Sequence, residues 1–206
     1  MICWAKPLKH RTGGKRKEKF IMKVKELTMT AIFAALTAVF AQLIIPLPFT
    51  PIPFSLCVIG VYLTGAVLPK SYAAYAQLIY ILLGAVGLPV FGGFSGGFGV
   101  LAGPTGGYIL VYPVMAFLVA LMPQLFGRKT VLSLAVGMLC ALLVCYLGGS
   151  LWYCAVAKVT WAKSITYTVL PFAPFDLIKI AVCAPFGRAL NGALGKAKLL
   201  PAQNMK

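Results

Sequence analysis

The sequence predicts an all-α membrane protein, a bundle of six transmembrane helices with both termini in the cytoplasm. Three observations carry that expectation. Of 206 residues, 61% are hydrophobic and the mean hydropathy is +0.93, well above the roughly 45–50% apolar content of soluble domains. Apolar stretches approaching the about 20 residues that a bilayer-crossing helix needs recur along the chain. Basic residues gather on alternate connections between those stretches, as the positive-inside rule requires.

The six predicted spans are 28–45, 52–68, 72–88, 107–126, 130–152 and 174–190. Proline marks their ends at Pro46, Pro48, Pro51, Pro53, Pro69 and Pro89, because it removes a backbone donor and restricts the residue before it. Pro113 and Pro185 fall inside spans and are expected to kink them, which neighbouring helices can accommodate. The connections are too short for a soluble domain. A single transmembrane domain is therefore expected over 22–195, with a cytoplasmic tail at 196–206. Residues 1–21, ahead of a natural-looking start at Met22, are expected to be a disordered basic extension.

A net charge of +16 invites a nucleic-acid reading, but its distribution argues against one. Nine basic residues lie between Lys6 and Lys25, before the first span, where they suit an anionic cytoplasmic leaflet. Lys70, Arg128, Lys129, Arg188, Lys196, Lys198 and Lys206 fall on the same side of the predicted topology. Only Lys158 and Lys163 fall on the other. Three connections then face outward: 46–51, 89–106 and 153–173.

Several chemistries are excluded. The one histidine, His10, precedes the spans, so imidazole ligands and Ser-His or Cys-His nucleophiles are missing from the membrane body. The six cysteines lack C-x-x-C spacing and read as small apolar packing residues, without a metal or disulfide role. No G-x-x-x-x-G-K-[ST] phosphate loop occurs, so the chain does not bind ATP in that way.

Asp176 is the only aspartate, and the glutamates Glu18 and Glu26 lie at or before the start of the first span. Lys179 follows in the same apolar run. Ionisable groups in a membrane segment cost about 2.5–3.5 kcal/mol each on insertion scales and default to a functional reading. On a helix the two side chains lie about 60° apart on one face, a few ångströms inside the outer end of the last span. That face reads as the wall of an outward-opening pocket. The competing reading makes Asp176 a first-turn acid on the helix dipole behind Pro174, with Lys179 as its ion-pairing or snorkelling partner.

The connection 89–108 holds eight glycines with Phe91, Phe94, Phe98, Ser95, Thr105 and Tyr108. Glycine lets a backbone approach a ligand closely, and the aromatics can cover a flat, partly apolar ring. In the first span, Ala31/Ala35 and Ala34/Ala38 have small-x-x-x-small spacing, which permits close helix approach. They serve either this bundle's own packing or a separate membrane subunit.

Taken in order, LPFTPIP at 47–53, GLPVF at 87–91, FSGG at 94–97, GPTGGY at 103–108 and PFAPFDLIK at 171–179 resemble the BioY family. Its members are the biotin-specific substrate-binding (S) components of energy-coupling factor (ECF) transporters. The likeness covers 22–195. It implies a six-helix S component in the plasma membrane of a prokaryote that captures biotin from the outer face and is not itself an enzyme. It implies no cofactor, with biotin as the transported ligand. Its implied partners are a transmembrane coupling protein and two cytoplasmic ATPase subunits that supply the missing phosphate loops. By position, Asp176 and Lys179 are expected to contact biotin, with Phe91, Ser95, Gly96, Gly97, Gly107 and Tyr108 around the ligand. Ala31, Ala34, Ala35 and Ala38 match the surface by which S components dock on the coupling protein. Among rival readings, an S component for another small vitamin differs only in cargo. An intramembrane enzyme would have to work with a single carboxylate.

Overall fold

The computed structural model describes residues 12–45, 54–197 and 199, with side chains from Val24 onward. Helix α1 (Thr12–Gln42) leads into a hairpin of two-residue strands, β1 (Ile44–Ile45) with β2 (Phe54–Ser55). The strands are antiparallel, with Ile44 opposite Ser55 and Ile45 opposite Phe54. Then come α2 (Cys57–Val67), α3 (Lys70–Ala85), a 3-10 turn at Gly92–Phe94, α4 (Phe98–Ala102), α5 (Gly106–Leu125), α6 (Val131–Ala157), α7 (Trp161–Thr168) and α8 (Ala173–Lys196).

Each predicted span contains a helix, but the boundaries shift. Residues 52–56, expected to open the second span, instead include strand β2, and α2 begins only at Cys57. Pro53 cannot donate to a helical ladder, while hairpin pairing satisfies the backbone of Phe54 and Ser55. At about 1.5 Å per residue, α2 and α3 reach roughly 16 and 24 Å, short of the about 30 Å hydrocarbon core. Four helices among the described residues are long and apolar enough to cross a membrane: Val24–Gln42, Gly106–Leu125, Val131–Ala157 and Ala173–Lys196. The N-terminal expectation also needs correction. Residues 12–21, read as disordered, form the first turns of α1. Residues 1–11, the 46–53 connection and most of the 196–206 tail lie outside the described residues.

The centre is α5, which packs on α6, α3 and α2. α1 rests on α2 and α3, while α8 closes the bundle against α6 and α2. Val61, Tyr62, Ala66, Val67, Met115, Ala116, Val119, Leu134 and Met138 are fully enclosed between these helices. Outward-facing positions are also apolar, among them Ile32, Val39, Leu82, Leu132, Leu143, Leu147, Ile178 and Val182. A surface of this kind suits hydrocarbon, because exposed leucines need no partner in lipid.

Several buried polar side chains within the helices find partners on their own or a neighbouring helix. The Thr30 and Thr37 hydroxyls donate to the carbonyls four residues back, at 2.7 and 2.9 Å. Gln77 is fully buried and donates from Nε2 to the hydroxyls of Thr37 and Thr64, both at 3.0 Å, tying α3 to α1 and α2. α6 starts with a capping box in which the Thr130 side chain accepts from Ser133 N and the Ser133 hydroxyl accepts from Thr130 N, the reciprocal arrangement that satisfies two orphan donors. In the α5–α6 connection, Lys129 Nζ donates to Ala66 O in the last turn of α2 and to Asn191 Oδ1, both at 3.3 Å. Burial pushes the Lys129 ammonium pKa down to about 8.

The α2–α5 contact depends on Gly65. A Cβ there would lie 2.6 Å from the Ala116 carbonyl oxygen and 2.6 Å from Val119 Cβ. Backbone cannot yield as a flexible side-chain tip can. Gly65→Val is expected to cost about 1–3 kcal/mol through overpacking, measured as a lower melting temperature of the detergent-solubilised protein.

Candidate functional site

Asp176 and Lys179 lie in the first two turns of α8, where Pro174 sits in the opening turn with its fixed φ and absent donor. Both residues are buried, at 6% and 7% exposure. Lys179 Nζ donates to Asp176 Oδ1 at 2.9 Å. The same ammonium donates to Ser55 O at 2.9 Å and lies 3.9 Å from the centroid of the Phe54 ring, within cation–π range. Asp176 Oδ2 accepts from Tyr146 Oη at 2.7 Å. The pair is therefore held by three elements: α8, the β-hairpin and α6.

A cleft of about 550 Å³, counting its open mouth, lies against this pair. Its walls include Phe54, Tyr108, Cys145, Tyr146, Thr168 and Phe172 beside Asp176 and Lys179. Phe54 stacks on Phe172 at 6.2 Å and tilts against Phe175 at 5.3 Å, which makes one wall aromatic. Tyr108 fits because Gly149 has no side chain; a Cβ there would lie 2.1 Å from its ring. The Tyr108 and Ser150 hydroxyls are 3.5 Å apart, and Ser150 and Thr168 are 3.2 Å apart, so a hydroxyl chain joins α5, α6 and α7.

A second cleft of about 610 Å³ adjoins the first. It is lined by Ala41, Ile44, Cys57, Tyr80, Gly92, Ser95, Val100, Thr105 and Ile109, and the two share Ser55, Tyr108 and Tyr112. Apolar walls with a few convergent polar groups are the usual lining of small-molecule sites.

The glycine-rich connection frames the second cleft through a compact turn. Phe91 N donates to Ser95 O at 3.0 Å, and the Ser95 hydroxyl donates to Gly92 O at 2.7 Å. Gln42, at the end of α1, holds this turn from outside. Its Oε1 accepts from Phe94 N at 2.8 Å, and its Nε2 donates to Phe91 O at 3.2 Å. Gly97 adopts φ +95°, open to glycine at little cost, and its N–H donates to Gly84 O at 2.7 Å.

Of the residues singled out from the sequence, Asp176, Lys179, Ser95 and Tyr108 line the clefts. Phe91, Gly96, Gly97 and Gly107 line neither. Phe91 is fully buried, edge-on to Tyr80 at 5.6 Å, over the space that Gly84 leaves. Gly96 packs on the Leu88 carbonyl, and Gly107 against the Trp152 ring. Phe91, Gly96 and Gly107 pack closely beside the clefts, whereas Gly97 serves through its positive φ. The alanines of α1 also separate: Ala34 is buried and Ala38 half-buried, while Ala31 and Ala35 face outward.

Sequence reasoning missed Tyr146, Phe54, Thr168 and Gln42. Tyr146 lies among apolar neighbours thirty residues from Asp176, so nothing local marks it. Gln42 carries a readable signal, a lone amide at the end of an apolar span.

These features describe a helical bundle with four helices of membrane-crossing length and two adjoining clefts beside a buried ion pair. The BioY family model matches residues 14–196, and the chain belongs to that family. It is 41% identical over 171 residues to a probable biotin transporter BioY of Pyrococcus horikoshii, covering 83% of this chain and 99% of the relative. It is 39% identical over 163 residues to a biotin transporter BioY of Thermotoga maritima, covering 78% and 92%. The fold matches a crystal structure described as the S-component for biotin from an ECF-type ABC transporter. The TM-score is 0.76 at 26% identity, covering 82% of this chain and 92% of the other.

Gln42→Leu is expected to release the Phe94 N–H and loosen the turn at about 0.5–1.5 kcal/mol per lost hydrogen bond. Hydrogen exchange should then quicken over residues 91–97 and remain unchanged in α6.

Proposed function

We propose that this chain is the substrate-binding subunit of a biotin uptake transporter. In this reading it crosses the plasma membrane six times with both termini in the cytoplasm. It takes biotin from the outer face and delivers it with a transmembrane coupling protein and two cytoplasmic ATPases. It performs no covalent chemistry. The observation that carries the reading is the buried Asp176–Lys179 pair exposed on one side to an aromatic-walled cleft, in a chain of the BioY family.

Biotin presents two ureido N–H groups, an apolar bicycle and a carboxylate, and the site holds matching chemistry. The Asp176 carboxylate can accept a ureido N–H, since each oxygen keeps a lone pair beyond its present partner. Lys179 can exchange its Ser55 carbonyl contact for the ligand carboxylate, a charge-assisted bond of greater strength. Tyr108 and the ring wall of Phe54 and Phe172 cover the bicycle, and Ser95 serves the adjoining cleft. Ala31 and Ala35 present the outward small-residue surface on which the coupling protein docks, with Ala34 and Ala38 supporting it from within.

Mass spectrometry of small molecules retained by the purified protein is expected to find biotin, and isothermal titration to give one site. Asp176→Asn and Lys179→Met should each weaken biotin by tenfold or more, about 1.4 kcal/mol per decade. Near-native affinity in both variants sinks the site assignment. Ala35→Leu is expected to abolish co-purification with the coupling protein while biotin titration of the isolated chain stays unchanged.

A further inference from the structure

Two helices hold the Asp176 carboxylate, one oxygen each. Lys179 of α8 takes Oδ1, and Tyr146 of α6 takes Oδ2 at 2.7 Å, the short distance of an O–H···O⁻ bond. The terminal torsion of an aspartate is broad and roughly two-fold, so a single partner on one oxygen leaves the group free to swing. A second partner on another helix removes that freedom. Each oxygen then keeps one lone pair for the cleft that both residues line.

The donors are equally committed. A phenol has one proton, and that of Tyr146 goes to Asp176, so Tyr146 has none to give a ligand. The Lys179 ammonium is engaged by Asp176, Ser55 O and the Phe54 ring. Beside Asp176 this wall therefore offers acceptors, which suit a ligand that brings N–H donors.

We propose that Tyr146 is a positioning residue for ligand recognition: its Oη fixes the Asp176 carboxylate in the orientation that receives the ligand's N–H groups. This rests on the biotin reading above. The competing role is a plain tether between α6 and α8. Tyr62 provides the contrast, a neighbouring tyrosine that is fully buried and whose Oη has no hydrogen-bond partner.

The test is isothermal titration of the full-length purified chain with biotin, for wild type, Tyr146→Phe, Asp176→Asn, the double variant and Tyr62→Phe, with ligand-free melting temperatures. Tyr146→Phe is expected to bind about tenfold more weakly, the scale of a hydrogen bond to a charged group, with its melting temperature unchanged. The double variant should bind no more weakly than Asp176→Asn alone, since the hydroxyl acts only through that carboxylate. Tyr62→Phe should bind like wild type. The proposal is overturned if Tyr146→Phe loses less than about threefold, or if its loss persists in full on Asp176→Asn. It is equally overturned if the loss follows a fallen melting temperature, or if Tyr62→Phe matches it. Failure of wild type to bind biotin, or wild-type affinity in Asp176→Asn, removes the biotin site itself. An unaffected Tyr146→Phe beside a weakened Asp176→Asn removes only the role of Tyr146.

Discussion

An ammonium and a carboxylate enclosed in an apolar bundle remain charged there only if each is compensated. The ion pair of Lys179 and Asp176 at 2.9 Å does not suffice alone, since the desolvation of two charges can exceed their attraction. The remainder comes from Tyr146, from the Ser55 carbonyl and from the Phe54 ring. Those partners belong to α6 and the hairpin between α1 and α2. The placement of three otherwise separate elements is thus tied to one pair of side chains, and the cleft is the space they leave.

The same constraint explains the hairpin. Strands of two residues have no independent stability, yet β2 carries both groups that approach Lys179, the Ser55 carbonyl and the Phe54 ring. Anchoring at the ammonium holds the strand, and the strand in turn displaces the start of α2 to Cys57. The short α2 is therefore a consequence of how the charged pair is satisfied, as well as of Pro53.

Five of the eight glycines of the 89–108 connection fall into two physical groups. Gly97 and Gly93 adopt positive φ, which lets the turn fold back on α3. Gly96, Gly106 and Gly107 lie where a Cβ would meet a backbone carbonyl or the Trp152 side chain. Gly92, by contrast, lines the second cleft. Ser95, held by Gly92 O, is the side chain from this turn that reaches the second cleft.

Composition and hydropathy alone determined that the chain is a helical membrane protein. The spacing of Asp176 and Lys179 put both on one face of the last helix, and the ordered motifs pointed to the BioY family. These properties are local or additive, since each depends on residues a few positions apart or on totals. Only the tertiary structure decided which groups complete the pair, that two clefts adjoin at Ser55, Tyr108 and Tyr112, and that Phe91 is buried behind Tyr80. It also separated the outward Ala31 and Ala35 from the buried Ala34. Each of these is a contact between helices far apart in sequence, where a tyrosine among leucines looks the same whether it lines a site or fills a core.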